Sequence, residues 1–200
     1  MNSPIPGRAE DGKLTALIQD LSDADPGTRM SAATDIFRLG SELAHTATAA
    51  WFLDAELATD LFLTETGRPK ATVGIAVNRA NFERIRTANG TPRLANVPDD
   101  QDAEEFEIEF LDGVRLDILT TKYLGANGAI DKFLQKFDEG IQQIELETRD
   151  VDRATKILRT RFGITPIYAR TRAGADGTRV NFFLVPAQRG KVLIELVEKA

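Results

Sequence analysis

The chain has 200 residues, 42% of them hydrophobic, a net charge of −6 and no cysteine. This length and apolar content support a packed core, in one large domain or two small ones. The acidic balance disfavours a nucleic-acid partner, because phosphate binding needs a concentrated basic face. The absence of cysteine excludes disulfides, thiolate zinc sites and cysteine nucleophiles, and it fits a cytoplasmic protein.

Histidine is almost as scarce, and this restricts the chemistry open to the chain. His45 is the only histidine, so a site built from two or three histidines cannot form within one chain. No G-x-S-x-G motif is present, and a Ser-His-Asp relay would have to use His45. No apolar run approaches the roughly 20 residues that cross a bilayer. We therefore expect a protein that binds neither nucleic acid nor membranes.

The first third of the chain has a helical pattern. Residues 1–12 predict a disordered lead-in, since they hold two prolines and lack the basic and apolar segments of a signal peptide. Residues 13–66 predict a helical region, because apolar residues such as Leu14, Ile18 and Leu21 recur at three and four positions. Gly40 predicts the end of its second helix. We expect these helices to form a cap on the following domain.

From residue 70 the pattern changes to short strands. Residues 70–121 predict a first βαβββ module, with strands at 72–77, 93–97, 105–111 and 114–119 and a helix at 81–88. The clearest strand is 105–111, in which glutamates alternate with Phe106, Ile108 and Phe110. Asp112-Gly113 predicts a hairpin turn after it.

Residues 122–140 predict a connecting segment with a helix at 129–137, and residues 141–200 a second βαβββ module. Its strands are predicted at 141–148, 165–170, 178–186 and 191–197, and its helix at 150–162, with Asp150 as N-cap and Gly163 at the end. The basic residues between Arg153 and Arg161 have helical spacing and predict a solvated face. The sequences "TVGIAV" and "QIELET" open the two modules, and "GVRLDIL" and "KVLIELV" close them. We interpret this as an internal duplication.

Two segments of the second module carry a family resemblance. The stretches "GAIDKFLQKFDEGIQQIELETRDVDRAT" and "DGTRVNFFLVPAQRGKVLIELVE" resemble the start and end of the second module of methylmalonyl-CoA epimerases. These enzymes are members of the vicinal oxygen chelate (glyoxalase/bleomycin-resistance/dioxygenase) superfamily. The resemblance implies an α+β fold, in which paired βαβββ modules form one curved mixed sheet around a cavity, here with a helical N-terminal cap.

The resemblance also implies where metal ligands would lie, on the first and last strands of each module. The matching positions here are Thr72, Asp117, Gln143 and Glu195, and the family usually has histidine at the first and third. Hydroxyl, amide and carboxylate oxygens suit magnesium, manganese or calcium. We therefore expect no cofactor or one weakly bound ion of this kind, and neither zinc nor iron.

Strand parity extends the candidate site, because successive side chains alternate between the two faces. If Gln143 and Glu195 face the cavity, so should Glu145, Glu147, Leu193 and Val197. On the strand 178–186 we expect Arg179 and Asn181 to form the polar, cavity-facing side, and Arg115 to share a face with Asp117. Arg115 and Arg179 would then offset the carboxylates. The sequence thus assigns catalysis to Glu195 and Asp117, and substrate binding to five residues: Gln143, Glu145, Arg179, Asn181 and Arg115. A purely structural salt-bridge network remains the alternative.

Three functions stay open at this point. The resemblance implies an epimerase, another isomerase or a lyase-like enzyme acting on a small acid or acyl thioester. The missing histidines favour a non-catalytic member that binds a small molecule. The third hypothesis is a partner-binding module that uses the N-terminal helices, and a homodimer is left open. An open, polar cavity would support the first two functions, and a cavity filled by side chains the third.

Overall fold

A computed structural model describes residues 8–65, 67–125, 127–187 and 190–199. The helices are α1 (Arg8–Asp20), α2 (Pro26–Thr48), α3 (Ala55–Asp60), α4 (Arg79–Ala88), α5 (Ala129–Phe137) and α6 (Val151–Arg161). The strands are β1 (Ala71–Ala76), β2 (Glu104–Glu109), β3 (Arg115–Thr120), β4 (Gly140–Glu147), β5 (Arg172–Ala173), β6 (Arg179–Ala187) and β7 (Gly190–Glu198). The predicted disordered lead-in lies outside the described residues as far as residue 7, and α1 already begins at Arg8. None of the described helices is long and apolar enough to cross a membrane.

Helix α2 is the longest element of the N-terminal region. It begins after Asp25, whose carboxylate accepts a hydrogen bond from the Thr28 amide at 2.8 Å, with Pro26 in the first turn. The predicted end at Gly40 is wrong, because the helix continues to Thr48. Gly40 instead marks a close approach to the sheet: a Cβ there would lie 2.5 Å from Cγ2 of Val73. Glycine is typical both of the end of a helix and of a place where a helix packs closely against another element, so the sequence does not distinguish the two.

One mixed sheet of seven strands, in the order β2-β3-β1-β4-β7-β6-β5, forms the body of the protein. Strands β1 and β4 lie antiparallel at its centre. Strand β1 pairs in parallel with β3, which pairs antiparallel with β2. Strand β4 pairs in parallel with β7, which pairs antiparallel with β6. The predicted fold class, a curved mixed sheet with a helical N-terminal region, is confirmed. The duplication itself stays an interpretation of the sequence.

Two predicted strands do not form. The segment 93–97 is extended but makes no strand, and one bond joins it to β2, from the Ala95 amide to the Glu105 carbonyl oxygen. The segment 165–170 is bent, and the two-residue β5 follows it. Pro92 and Pro98 flank the first segment and Pro166 lies in the second. Proline fixes φ and has no amide to donate to a ladder, which disfavours strand pairing at these places.

The two faces of the sheet differ. One face packs against α2, α4 and α6 in the main core, where Trp51 meets Phe183 edge-on with ring centroids 6.4 Å apart. The other face is open over most of its area. Helix α5 covers part of it, with Ile130 packed against Ala76 and Leu119. The N-terminal helices therefore close the outer face and leave the inner, concave face free to form a site.

Candidate active site on the concave face

The concave face encloses a cavity of about 920 Å³, within the size range of small-molecule sites. Four predicted site residues line it: Asp117, Gln143, Glu145 and Glu195. Strand register brings them together. Gly74 of β1 lies opposite both Asp117 and Gln143, and Glu145 lies opposite Glu195. Side chains at opposed positions point to the same side of a sheet, so these four groups share one face.

The floor of this cavity is a cluster of carboxyl groups. Besides Asp117, Glu145 and Glu195, it contains Glu105 and Glu107 of β2. The sequence does not point to the latter two as site residues, although its alternation places them on one face of a strand. They join the site through the pairing of β2 with β3, which sets Glu107 opposite Asp117. Five acids thus surround one space.

Burial and mutual repulsion raise the pKa values of most of this cluster. Burial raises the pKa of Glu195 and of Asp117 well above the usual range, and the charges of Glu145 and Glu105 raise both further. The pKa of Glu145 rises to about 8, chiefly through burial and then through repulsion from Glu105 and Glu107. Burial raises the pKa of Glu105 to about 7. Near neutral pH the cavity therefore holds both protonated and ionised carboxyl groups.

Gln143 connects this cluster to the central strands. Its Nε2 donates a hydrogen bond to Oε2 of Glu195 at 2.8 Å. Gly74 makes room for this side chain, because a Cβ at position 74 would lie 2.6 Å from Cγ of Gln143. A larger residue on β1 would push the amide away from Glu195. The glycine is therefore a requirement of the site.

The expected counter-charges are placed elsewhere. Arg115 shares the face of Asp117 but lies outside the cavity, where it donates to Oε1 of Glu147 at 2.8 Å. Lys199 and Lys70 bind the same carboxylate, at 2.8 and 2.9 Å. Burial raises the pKa of Glu147, but hydrogen bonds from these three cations outweigh it and lower the pKa to about 2. The prediction that Arg115 offsets the charge of the cavity acids is wrong, because Arg115 forms an ion pair with Glu147 outside the cavity.

Arg179 and Asn181 lie on the opposite face of β6, so their predicted place in the cavity is also wrong. The β6 residue opposite Glu195 is Phe182, which lines the cavity together with Leu193 and Val197 of β7. Arg179 pairs with Glu198 at 2.9 Å and with Asp152 at the N-terminal end of α6. The alternation of side chains along β6 was predicted correctly, but the wrong set of side chains was assigned to the cavity. At this end of β6 the outer face meets charged groups of α6, such as Asp152.

The donor set does not fit the transition metals of the resembled family. Thr72 is buried and does not line the cavity. Gln143 turns its amide N–H group towards Glu195, so it acts as a donor and not as a metal ligand. Within the described residues, no group of three or more His, Asp or Glu side chains is arranged to hold one ion. Zinc and iron sites depend on imidazole or thiolate donors, and the cavity supplies neither.

The rim provides apolar surface for the body of a ligand. Tyr168 packs edge-on against Phe182, with ring centroids 5.9 Å apart, and the guanidinium of Arg172 lies 4.5 Å from the Tyr168 ring centroid. Both rings and Arg172 line the cavity. The site therefore combines acidic groups at its floor with aromatic surface at its rim.

Solved structures resemble this fold, although no family model and no curated protein matches the chain. Methylmalonyl-CoA epimerase from Mycobacterium tuberculosis is 31% identical, with a TM-score of 0.54 over 64% of this chain and 86% of that chain. A variant of the Streptomyces coelicolor methylmalonyl-CoA epimerase in complex with 2-nitronate-propionyl-CoA is 28% identical, with a TM-score of 0.50 over 64% of this chain and 95% of that one. A methylmalonyl-CoA epimerase in complex with methylmalonyl-CoA and NH4+ gives the same identity and TM-score, over 64% of this chain and 92% of that chain. From this fold and this identity, the chain belongs to the vicinal oxygen chelate (glyoxalase) superfamily.

Proposed function

We propose that the protein is an epimerase-like isomerase that moves a proton at the carbon next to the carbonyl group of a small acid or acyl thioester. The observation that carries this proposal is the group of carboxyl side chains that line one cavity, two of which, Glu105 and Glu145, have pKa values raised to about 7 and about 8. A general base or acid works best when its pKa lies near the operating pH. Two of the neighbouring structures hold CoA thioesters or an analogue, which supports a ligand of this class.

The positions of the carboxyl groups suit proton transfer on two sides of a substrate. Asp117 on β3 and Glu195 on β7 are three strand spacings apart in the sheet order, with Glu145 on β4 between them. At about 4.8 Å per spacing the two outer strands lie roughly 14 Å apart along the sheet, and their side chains line one cavity that can hold a small substrate. Glu195, in the ionised form that the hydrogen bond from Gln143 favours, would remove the proton from one side, and the protonated carboxyl group of Asp117 would return a proton from the other.

The enolate oxygen that forms between these steps needs a hydrogen-bond donor. Glu145 lies between the two outer acids, and its pKa of about 8 keeps it protonated at neutral pH. A buried, neutral carboxylic acid can donate to a developing oxyanion. In this scheme the C–H electron pair becomes the enolate double bond, Glu195 takes the proton, and Glu145 donates to the oxygen. Gln143 holds Glu195 in place through its 2.8 Å hydrogen bond.

Deuterium exchange tests the proposal. The protein is incubated with methylmalonyl-CoA in deuterated water, and incorporation at the substrate carbon is followed by mass spectrometry. We expect incorporation that persists in chelator and falls at least about 100-fold in Glu195→Gln and Asp117→Asn, in line with the loss of a positioned proton-transfer group. Glu109→Gln, a charge-matched change on an exposed residue of β2, is the control. No incorporation by folded protein, with magnesium, manganese or cobalt added, would exclude epimerisation of this substrate.

The second candidate is a non-catalytic member that binds a small molecule in the same cavity. Gln143 favours it, since an amide stands where the family usually has a histidine and is bonded to Glu195. Calorimetric binding of the thioester without any deuterium exchange would support this candidate. The partner-binding hypothesis loses support, because the cavity is open and α2 already buries its apolar residues, such as Ile36, against the sheet.

A further inference from the structure

A second pocket lies on the outer face of the sheet, opposite the cavity. It has a volume of about 620 Å³ and lies between α6, the segment 169–171 and β6. Four basic residues and one acid line it, together with Thr155 and Asn181: Lys156, Arg159, Arg170, Arg179 and Asp152. Arg179 and Asn181 are the two residues of β6 that were predicted to face the cavity. The structure places them together in this separate site.

The pocket carries positive charge that the protein does not neutralise. Arg179 is matched by Asp152 and Glu198. In the described part of the chain, Lys156, Arg159 and Arg170 make no ion pair. This concentration of cations is unusual in a chain with a net charge of −6.

The other basic residues of α6 behave differently. Nε of Arg153 donates to Asp60 at 2.7 Å, and Arg161 binds Asp54 at the same distance. The basic stretch that the sequence analysis interpreted as a solvated face thus has two parts. One holds the N-terminal region to α6, and the other faces the pocket with its charge unmatched.

The pocket also contains a buried hydrogen-bond donor without a partner. Asn181 is fully buried, and its Oδ1 accepts from the Phe182 amide at 3.0 Å. Its Nδ2 has no partner, and neither does the buried hydroxyl of Thr155 beside the same pocket. A buried donor left unpaired destabilises the folded state, so native structures rarely keep one without a bound acceptor.

From these observations we infer that the outer pocket binds the phosphate group of a small molecule. Three cations without an ion pair line one pocket together with two residues that carry unpartnered polar atoms, which favours a multiply charged anion with several acceptor oxygens. A phosphate monoester carries about two negative charges and three free oxygens, whereas a carboxylate offers one charge and two oxygens. The inference does not rest on the function proposed for the cavity, because the sheet separates the two sites.

Calorimetry with inorganic phosphate and with glycerol phosphate tests this inference, with acetate as the carboxylate comparison. We expect both phosphates to bind and acetate to bind at least about tenfold more weakly, because its single charge gains less from the cations. Tighter binding of the ester would identify an organic phosphate as the ligand, and equal affinity would identify free phosphate; both results support the site. Acetate binding as well as phosphate would overturn it.

Two variants locate the binding. Lys156→Ala/Arg159→Ala removes two exposed cations, and Lys132→Ala/Lys136→Ala on α5 is the control, since it makes the same change in net charge on another helix. We expect phosphate affinity to fall at least about tenfold in the first double variant and to stay unchanged in the control. Asn181→Leu removes the buried donor at similar volume and should also weaken binding. Equal loss in both double variants, or full affinity in Asn181→Leu, would overturn the inference.

Discussion

Glu145 lies in the middle of the cavity carboxyl groups, and Glu145→Gln tests whether these groups are held protonated in the folded protein. Burial and neighbouring acids raise its pKa to about 8, whereas an unfolded chain leaves a glutamate near its usual value. Between these two values the folded state binds more protons than the unfolded state. The free energy of unfolding must therefore fall as the pH rises from about 4.5 to about 8.

The size of this effect follows from the pKa difference. A rise from 4.5 to about 8 corresponds, at about 1.4 kcal/mol per pH unit, to at most about 5 kcal/mol. The actual value is smaller, because Glu145 is only half-buried beside a cavity that water can enter. We expect about 2 kcal/mol at pH 8. Glutamine has almost the same shape and carries no charge, so Glu145→Gln should be more stable than the parent protein by this amount at pH 8 and by much less at pH 5.

Urea denaturation followed by circular dichroism, at half-unit steps from pH 5 to pH 8, measures this difference directly. Glu109→Gln is the matched control, because it removes the same charge from an exposed position on β2. Its stability profile should run parallel to that of the parent protein. If Glu145→Gln also ran parallel to the parent, Glu145 would be ionised without cost in the folded state, and its role as a hydrogen-bond donor would be refuted.

The remaining predictions concern packing, the ion cluster and metal content. Gly40→Ala should destabilise the protein by about 2 kcal/mol in urea denaturation, because overpacking against Val73 outweighs the gain in helix propensity. The control Gly12→Ala, where a Cβ would have nothing within 4 Å, should stabilise the protein by up to about 1 kcal/mol. A stabilised Gly40→Ala variant would contradict the close contact with Val73. Glu147→Gln should cost about 3 kcal/mol at pH 7, since the pKa of about 2 means that the stability it provides is present above about pH 4.5 and disappears as the pH falls through 2; unchanged unfolding at pH 7 would show that the cluster is screened. Elemental analysis of dialysed, untagged protein should find no stoichiometric zinc or iron, and one equivalent that disappears in Glu195→Ala would show that the ligands were misassigned.

Much of the fold could be predicted because its signals are local. The alternation of β2, the Asp112-Gly113 turn and the Asp150 cap each depend on neighbouring residues, and each element is present in the structure. The candidate site positions followed from the family resemblance together with strand parity. Asp117, Gln143, Glu145 and Glu195 do line one cavity, although their roles stay predictions.

The local pattern therefore predicted the helices, most of the strands and the alternation along them. Which side of a strand faces which space depended on the packing of distant elements. Arg179 and Asn181 alternate with Phe182 as predicted, yet β6 presents Phe182 to the cavity, because its outer face meets the charged helix α6. Arg115 likewise lies on the predicted face, but its guanidinium forms an ion pair with Glu147. Glu147 lies on β4, which is distant from Arg115 in the sequence. Periodicity is a property of the chain, whereas the facing direction and the partner of a charge depend on what packs against it.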